Sequence, residues 1–92
     1  MPLVAVQGDK QSHGNGDLVC SNNSKVFAGG KRIANYDSDA LADLIPHSGD
    51  SVKPGTVSSK VFVLGTGVHR NGDSRRCGAT TSATNQSKVF VG

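Results

Sequence analysis

The tetrapeptide Ser-Lys-Val-Phe occurs three times in this chain of 92 residues, at Ser24–Phe27, Ser59–Phe62 and Ser87–Phe90. The copies begin 35 and then 28 residues apart. Four identical residues that recur three times in so short a chain are far beyond chance. A repeat at this spacing indicates a supersecondary unit that cannot bury its apolar face alone and packs against its own copies. The fold is therefore expected to be built from related units.

The similarity between the first two copies extends beyond the tetrapeptide. When they are aligned on it, Gly30 falls on Gly65, Ile33 on Val68, and residues 37–38 on residues 72–73. A Gly-Asp pair also recurs, at Gly8-Asp9, Gly49-Asp50 and Gly72-Asp73. Each unit is thus predicted to contain a strand and a glycine turn.

Each copy has the composition of a short strand. Lys60–Leu64 is β-branched and aromatic and is ended by Gly65, whereas Lys25–Ala28 runs into the hairpin signal Gly29-Gly30. Lys88–Val91 closes the chain. These features predict an all-β fold of short repeated strands and hairpins with long loops. Because each unit needs one large residue to pack, the repeated phenylalanine is predicted to lie in the core.

One stretch departs from the strand pattern. Its apolar residues follow helical spacing: Leu41, Leu44 and Ile45. Ser38 or Asp39 is available as an N-cap and Pro46 as a stop. The pattern predicts at most one short helical insertion, at about 38–45, which accounts for the greater length of the first repeat.

The composition leaves little material for a core. Hydrophobic residues make up 35% of the chain, tryptophan is absent and there are twelve glycines. A single domain spanning residues 1–92 is expected, held by a disulfide, a metal or a partner in addition to its core. The amino terminus lacks the features of a signal peptide, and disulfides are rare in a cytoplasm, so Cys20 and Cys77 are expected to be thiols. In an exported product they could pair.

The net charge of +3 does not indicate a nucleic-acid-binding protein. Ten basic residues are spread along the chain among seven acids, without a basic run and without an aromatic platform beside them. A solvated surface is the simpler interpretation, and no nucleic-acid partner is predicted.

Three histidines and one cysteine lie beside glycine or turn residues: His13, His47, His69 and Cys77. Three imidazoles and one thiolate satisfy the tetrahedral preference of Zn²⁺, and four protein ligands close the site. Metal binding would then contribute to folding. The spacing alone favours the simpler interpretation of surface histidines and a small buried thiol, and Cys20 is interpreted as a buried thiol.

An ordered set of motifs runs from about Gly8 to Gly92. It comprises Gly8-Asp9-x-x-Ser12-His13-Gly14, Ser-Lys-Val-Phe-x-x-Gly-Lys-Arg-Ile-Ala at 24–34, Pro46-His47-Ser48-Gly49, Val61-Phe62-Val63 and Val68-His69-Arg70-Asn71-Gly72-Asp73-x-x-x-Cys77-Gly78. This set resembles the PAAR-repeat family. The Pro-Ala-Ala-Arg tetrapeptide itself is absent, since the corresponding places read Lys31–Ala34 and Thr66–His69.

The resemblance implies a small cone-shaped β fold with one structural Zn²⁺ at its apex, iron being the alternative metal. Its ligand pattern falls on His13, His47, His69 and Cys77. Family members cap the trimeric β-helical spike of contractile injection machines, either phage tail baseplates or type VI secretion systems, and sharpen it for membrane piercing. The implied partner is that spike trimer, with transient contact to a target envelope.

The expected protein is a bare structural tip and not an enzyme, without a small-molecule substrate. Its localisation would be the virion, as a baseplate spike tip, or export through a type VI system. Val26, Val61 and Val89 are predicted to contact the trimer. Two alternatives remain: a hydrolytic zinc site with Asp9, Asp50 or Asp73 as general base, and a small zinc-stabilised module that binds nucleic acid or protein.

Overall fold

The computed structural model of the chain describes residues 2–12, 17–41 and 53–92, and these residues form short strands, bridges and turns. Six two-residue strands pair antiparallel in three sheets, β1 with β6, β2 with β3 and β4 with β5. The strands are β1 (Lys10–Gln11), β2 (Phe27–Ala28), β3 (Lys31–Arg32), β4 (Phe62–Val63), β5 (Thr66–Gly67) and β6 (Thr81–Ser82). Across these ranges the all-β prediction is confirmed, and the structure contains no helix that could span a membrane.

A closed ring of three backbone hydrogen bonds lies at the centre of the fold. The amide of Ala34 donates to the carbonyl of Ala5, the amide of His69 to Ala34, and the amide of Ala5 to His69, each at 2.9 Å. Each residue therefore gives one bond and receives one. This cyclic pattern is that of a three-fold axis, although the three segments belong to one chain.

The bonds flanking this ring repeat the same cyclic order. The amides of Gln7, Tyr36 and Asn71 donate to the carbonyls of Arg32, Gly67 and Leu3, respectively. The antiparallel bridges follow the same order, joining Val6 to Ile33, Asn35 to Val68 and Arg70 to Val4. Three extended segments, residues 3–7, 32–36 and 67–71, are therefore joined end to start around the axis. We call them the ring segments.

Each ring segment is preceded by one copy of the repeated tetrapeptide, which forms the other arm of a hairpin. In the first two hairpins, Phe27 pairs with Arg32 and Phe62 with Gly67. The third hairpin is divided between the chain ends, because Phe90 pairs with Leu3. The carboxyl end of the chain thus supplies one arm and the amino end supplies the other. This pairing closes the circle.

A polar side chain just before each tetrapeptide fixes the hairpin to the ring. Asn23 Oδ1 accepts the amides of residues 25 and 26, Ser58 Oγ those of 60 and 61, and Gln86 Oε1 those of 88 and 89, all at 2.8–3.0 Å. The amide groups of Asn23 and Gln86 also donate to the carbonyls of Ile33 and Val4 in the following ring segment. Three different residue types therefore make the same turn.

Each ring segment ends in a turn closed by a side chain. After the first ring segment, the carboxylate of Asp9 accepts the amide of Val6, three residues earlier, at 2.8 Å. Ser38 does the same for Asn35, and Asp73 for Arg70, both at 2.9 Å. The alignment of residues 37–38 with residues 72–73 is confirmed by these equivalent turns.

The core is divided between the two faces of the ring. Successive side chains of an extended segment point to opposite faces. One apolar cluster unites Val4, Val6, Ile33 and Val68 of the ring with Ala28 and Val63 of the hairpins. The other unites Ala5 and Ala34 with Leu18 and Cys20. The hairpins therefore cover one face, and residues of the loops cover the other.

The prediction that the repeated phenylalanine lies in the core is wrong. Phe27, Phe62 and Phe90 are 52%, 59% and 49% exposed. The residue after each phenylalanine packs inward instead, with Ala28 and Val63 both buried. Because adjacent side chains in a strand alternate, the phenylalanine faces outward. The apolar cluster on this side of the ring consists of alanine, valine and isoleucine side chains.

The helical insertion predicted at about 38–45 is not formed where the structure describes it. Ser38 closes the turn with Asn35, and Ala40 forms an antiparallel bridge with Leu18. The Ser38 hydroxyl therefore serves the preceding turn instead of capping a helix. Residues 42–45 lie outside the described residues.

Candidate functional site

His69 occupies a ring position at which both other segments carry alanine. Its counterparts are Ala5 and Ala34, whereas its imidazole is fully buried on the face opposite the hairpins. Nδ1 lies 2.8 Å from the carbonyl oxygen of Thr56, and Nε2 lies 2.7 Å from Oγ1 of Thr81. A carbonyl can only accept, so Nδ1 carries the proton and Nε2 accepts from the Thr81 hydroxyl.

Burial lowers the pKa of His69 to about 4, because the charged imidazolium would lose its hydration. The neighbouring positive charge of Arg75 acts in the same direction. The neutral ring with a lone pair on Nε2 is therefore the form present at neutral pH. A histidine that donates Nδ1–H to a backbone carbonyl and offers Nε2 has the orientation typical of metal-ligating histidines.

Arg75 is almost wholly buried beside this histidine. Its Nε donates to the Thr81 hydroxyl and a terminal nitrogen donates to the Asp9 carbonyl oxygen. Burial lowers the pKa of its guanidinium to about 10, so the group stays charged at neutral pH. The chain His69–Thr81–Arg75 is thus a continuous buried hydrogen-bonded network.

Cys77 borders the same region. Its Sγ lies 3.5 Å from Oε1 of Gln11, and Gln11 pairs with Thr81 across β1 and β6. Cys77 and His69 therefore contact the side chains of Gln11 and Thr81, respectively, and these two residues are paired across β1 and β6. Cys77 is half-buried and is a free thiol.

The other two predicted ligands, His13 and His47, lie outside the described residues. Among the residues that are described, no group of three or more His, Cys, Asp or Glu side chains gathers around a point. His69 and Cys77 supply only two of the four predicted ligands, so the four-ligand zinc site stays a prediction. The donor chemistry of His69 fits a zinc ligand, provided that the Thr81 hydroxyl gives up its bond to Nε2.

Cys20 is a buried free thiol, as predicted, and it packs on the same face of the ring as His69. Burial raises the pKa of its thiol to about 11, with a hydrogen bond from Ser38 acting in the opposite direction. A thiol with so high a pKa is a poor nucleophile, which agrees with a packing role.

The Gly-Asp aspartates serve the turns. Asp9 is fully buried, and its carboxylate accepts backbone amides from Val6, Thr84 and Asn85. Asp73 holds the Arg70 guanidinium with both oxygens, at 2.8 and 2.9 Å. Of the three carboxylates considered as general bases, those of Asp9 and Asp73 are thus engaged in hydrogen bonds within the fold. Asp50 lies outside the described residues.

The opposite face of the fold presents the repeated residues. We call residues 25–27, 60–62 and 88–90, the Lys-Val-Phe of each copy, the hairpin face. Its phenylalanines and lysines are exposed. Among the predicted contact residues, Val26 and Val61 are exposed, whereas Val89 is half-buried against the core. Because the copies hold equivalent places around the ring, their phenylalanines form a three-fold set.

Leu64 extends the hairpin face at the loop of the second hairpin. Its side chain is 50% exposed, and its backbone has a φ of 53°. The corresponding residue in the first hairpin is Gly29, with a φ of 60°. A left-handed conformation costs a non-glycine residue roughly 1 kcal/mol. An apolar side chain is therefore held exposed, at an energetic cost, where glycine would relieve the strain.

Two features of these sites were not predicted from the sequence. The amino-terminal ring segment repeats the third one, since Val4 and Gly8-Asp9 match Val68 and Gly72-Asp73, and that similarity was the available signal. The side chains before the tetrapeptides differ in type, so only their shared polarity could have indicated the common role.

The chain matches no protein-family model, no curated protein and no solved structure.

Proposed function

We propose that this chain is a structural tip that caps a trimeric β-helical spike of a contractile injection apparatus, in a phage tail baseplate or a type VI secretion system. Its role would be to sharpen the spike for membrane piercing, without catalysis. The observation that carries the proposal is the closed ring through Ala5, Ala34 and His69, which gives a single polypeptide three-fold backbone symmetry.

A monomer can sit on a homotrimer without mismatch only if it presents three equivalent contacts. The hairpin face provides them, because Phe27, Phe62 and Phe90 occupy equivalent positions and are all about half exposed. Large exposed aromatic residues are typical anchors of protein interfaces. Val26 and Val61, exposed beside two of these phenylalanines, would join the contact.

We further propose that His69 and Cys77 act with His13 and His47 to hold one structural zinc ion, or iron in its place. The metal would tie together loops that are distant in sequence and would supply folding free energy. The support within the described residues is His69, whose Nδ1–H is held by Thr56 and whose Nε2 bears the lone pair.

The function is tested by co-expressing the chain with a trimeric β-helical spike fragment and measuring the mass of the complex by light scattering. We expect one chain per trimer. The triple variant Phe27→Ser, Phe62→Ser, Phe90→Ser should lose the complex while retaining its fold, since the three rings are exposed.

Tyr36→Ser is the matched control. Tyr36 is an exposed aromatic residue at the end of a ring segment, outside the hairpin face, and Arg76 lies over its ring at 4.6 Å. This variant should bind like the unaltered chain. If the unaltered chain is monodisperse alone and associates with no such trimer, the proposed function is wrong.

A further inference from the structure

The hairpin face carries positive charge as well as aromatic surface. Each copy of the repeat places a lysine two residues before its phenylalanine: Lys25, Lys60 and Lys88. All three lysines are exposed. The ion pairs seen within the described residues involve other cations, namely Lys10, Lys53 and Arg70. Where the structure describes the chain, the three lysines of the repeat form no ion pair, so their amines can meet a partner.

The turn before each tetrapeptide fixes the backbone position of its lysine. The backbone amides of Lys25, Lys60 and Lys88 donate to Asn23, Ser58 and Gln86 at 3.0, 3.0 and 2.8 Å. Three amines are thus attached to equivalent backbone positions around the ring. A set of identical charges at identical positions matches a surface that repeats an opposite charge three times.

We propose that the hairpin face docks on a three-fold protein surface that presents, in each protomer, an apolar contact for one phenylalanine and a carboxylate for one lysine. This inference rests on the proposed function and specifies the chemistry of its partner. The apolar contact supplies the affinity, and the three charge pairs fix the rotational register and accelerate the encounter. The proposal requires an aspartate or a glutamate in each spike protomer, at the end of the spike on which the chain docks.

An anionic lipid surface also attracts lysine beside phenylalanine, but it does not account for the geometry. A fluid bilayer has no spacing for a protein to match, so scattered basic residues would serve it equally well. Here the same three-residue sequence is retained in all three copies, although the residues that support it differ. The exposed residues are identical in the three copies, whereas the buried residues that support them differ. This pattern points to a partner with three identical sites.

The test compares binding to a trimeric β-helical spike fragment at low and high salt, by calorimetry. The variant Lys25→Gln, Lys60→Gln, Lys88→Gln should bind at least about tenfold more weakly than the unaltered chain at low salt and should lose most of its salt dependence. Replacing the same lysines by arginine keeps the charge and should keep the affinity. The matched control removes three charges elsewhere, by Lys10→Gln, Lys53→Gln and Arg76→Gln, and should bind as the unaltered chain does.

The outcomes separate this inference from the function on which it rests. Tight binding of the glutamine variant with unchanged salt dependence would overturn the charge pairing and leave the tip function standing. Equal weakening by the control variant would also overturn it, since net charge alone would then act. Failure of the unaltered chain to bind the trimer refutes the tip function itself. If it instead binds vesicles of equal parts phosphatidylcholine and phosphatidylglycerol through these lysines, the partner is a lipid surface and the inference is wrong.

Discussion

Replacing Asn23 by alanine tests whether the side chain before each tetrapeptide holds its hairpin on the ring. Asn23 is fully buried. Its amide nitrogen donates to the carbonyls of Val26 and Ile33 at 2.8 and 3.0 Å, and its oxygen accepts the amides of Lys25 and Val26 at 3.0 Å each. Alanine removes all four bonds without adding bulk, so the variant should fold but be less stable.

The size of the effect follows from what each group loses. The Ile33 carbonyl is buried and would be left without a partner, at a cost of about 1–3 kcal/mol. The Val26 carbonyl keeps the amide of Ile33, and water can reach the two partly buried amides, so those bonds contribute about 0.5–1 kcal/mol each. The free energy of unfolding should fall by about 3 kcal/mol, which corresponds to a decrease in Tm of roughly 10–20 °C for a domain of this size.

The repeat provides its own graded controls. Asn23→Ser copies the residue at the equivalent position, Ser58, whose oxygen accepts the amides of Lys60 and Val61. It should lose only the two donated bonds, which carry the larger part of the cost, and should therefore lie closer to Asn23→Ala than to the unaltered chain. Ser24→Ala changes an exposed neighbour and should alter the free energy of unfolding by less than about 0.5 kcal/mol. Urea and thermal unfolding followed by circular dichroism measure all three, and an Asn23→Ala effect no larger than that of Ser24→Ala refutes the reasoning.

Three further expectations concern the metal, the closure of the ring and its packing. Cys77→Ser should lower both zinc content and Tm, whereas Cys20→Ser should leave zinc in place; equal zinc loss in elemental analysis would contradict the choice of sulfur ligand. A circular permutant opened within the Gly29–Gly30 loop, with the original ends joined by a short glycine linker, should give the circular dichroism spectrum of the parent, because the divided third hairpin would become continuous; an unfolded spectrum would show that the present ends are required. Gly67→Ala should lower the free energy of unfolding by more than about 2 kcal/mol, since a Cβ would lie 2.7 Å from a Val57 methyl and collide with a backbone oxygen. Gly30→Ala, where the space is open but φ is +80°, should cost only about 1 kcal/mol in the same unfolding assay, and the reverse order would contradict this account.

The hairpins could be predicted from the sequence because their signals are local. The pairs Gly30 with Gly65 and Ile33 with Val68 aligned correctly, and both hairpin turns formed at the expected glycines. The position of the phenylalanines could not be predicted in this way. A strand of two residues has no periodicity to show which side is buried, so residue size suggested the core, whereas the small space inside the ring decided the outcome.

The third hairpin was missed because its two arms are at opposite ends of the chain. Nothing local to Phe90 indicates Leu3 as its partner; only the match of Gly8-Asp9 with Gly72-Asp73 places the amino-terminal segment in the series. The ring position of His69 depends on the same alignment. Once Val4 is aligned with Ile33 and Val68, the next residues are Ala5, Ala34 and His69, and the unlike residue is evident.

A single chain with three-fold backbone symmetry can do what a homotrimer cannot, which is to place unlike side chains at equivalent positions. On the face opposite the hairpins, a buried imidazole stands where the other two segments have only a methyl group. Three histidines could not be accommodated in a core this closely packed, and three alanines would offer no ligand. On the hairpin face the reverse holds, since Lys-Val-Phe is identical in all three copies and its aromatic rings are exposed. Divergence on one face is what an asymmetric metal site requires, and identity on the other is what a three-fold partner requires. The two proposals therefore depend on one architectural fact: the ring holds the backbone positions equivalent and leaves each side chain free to differ.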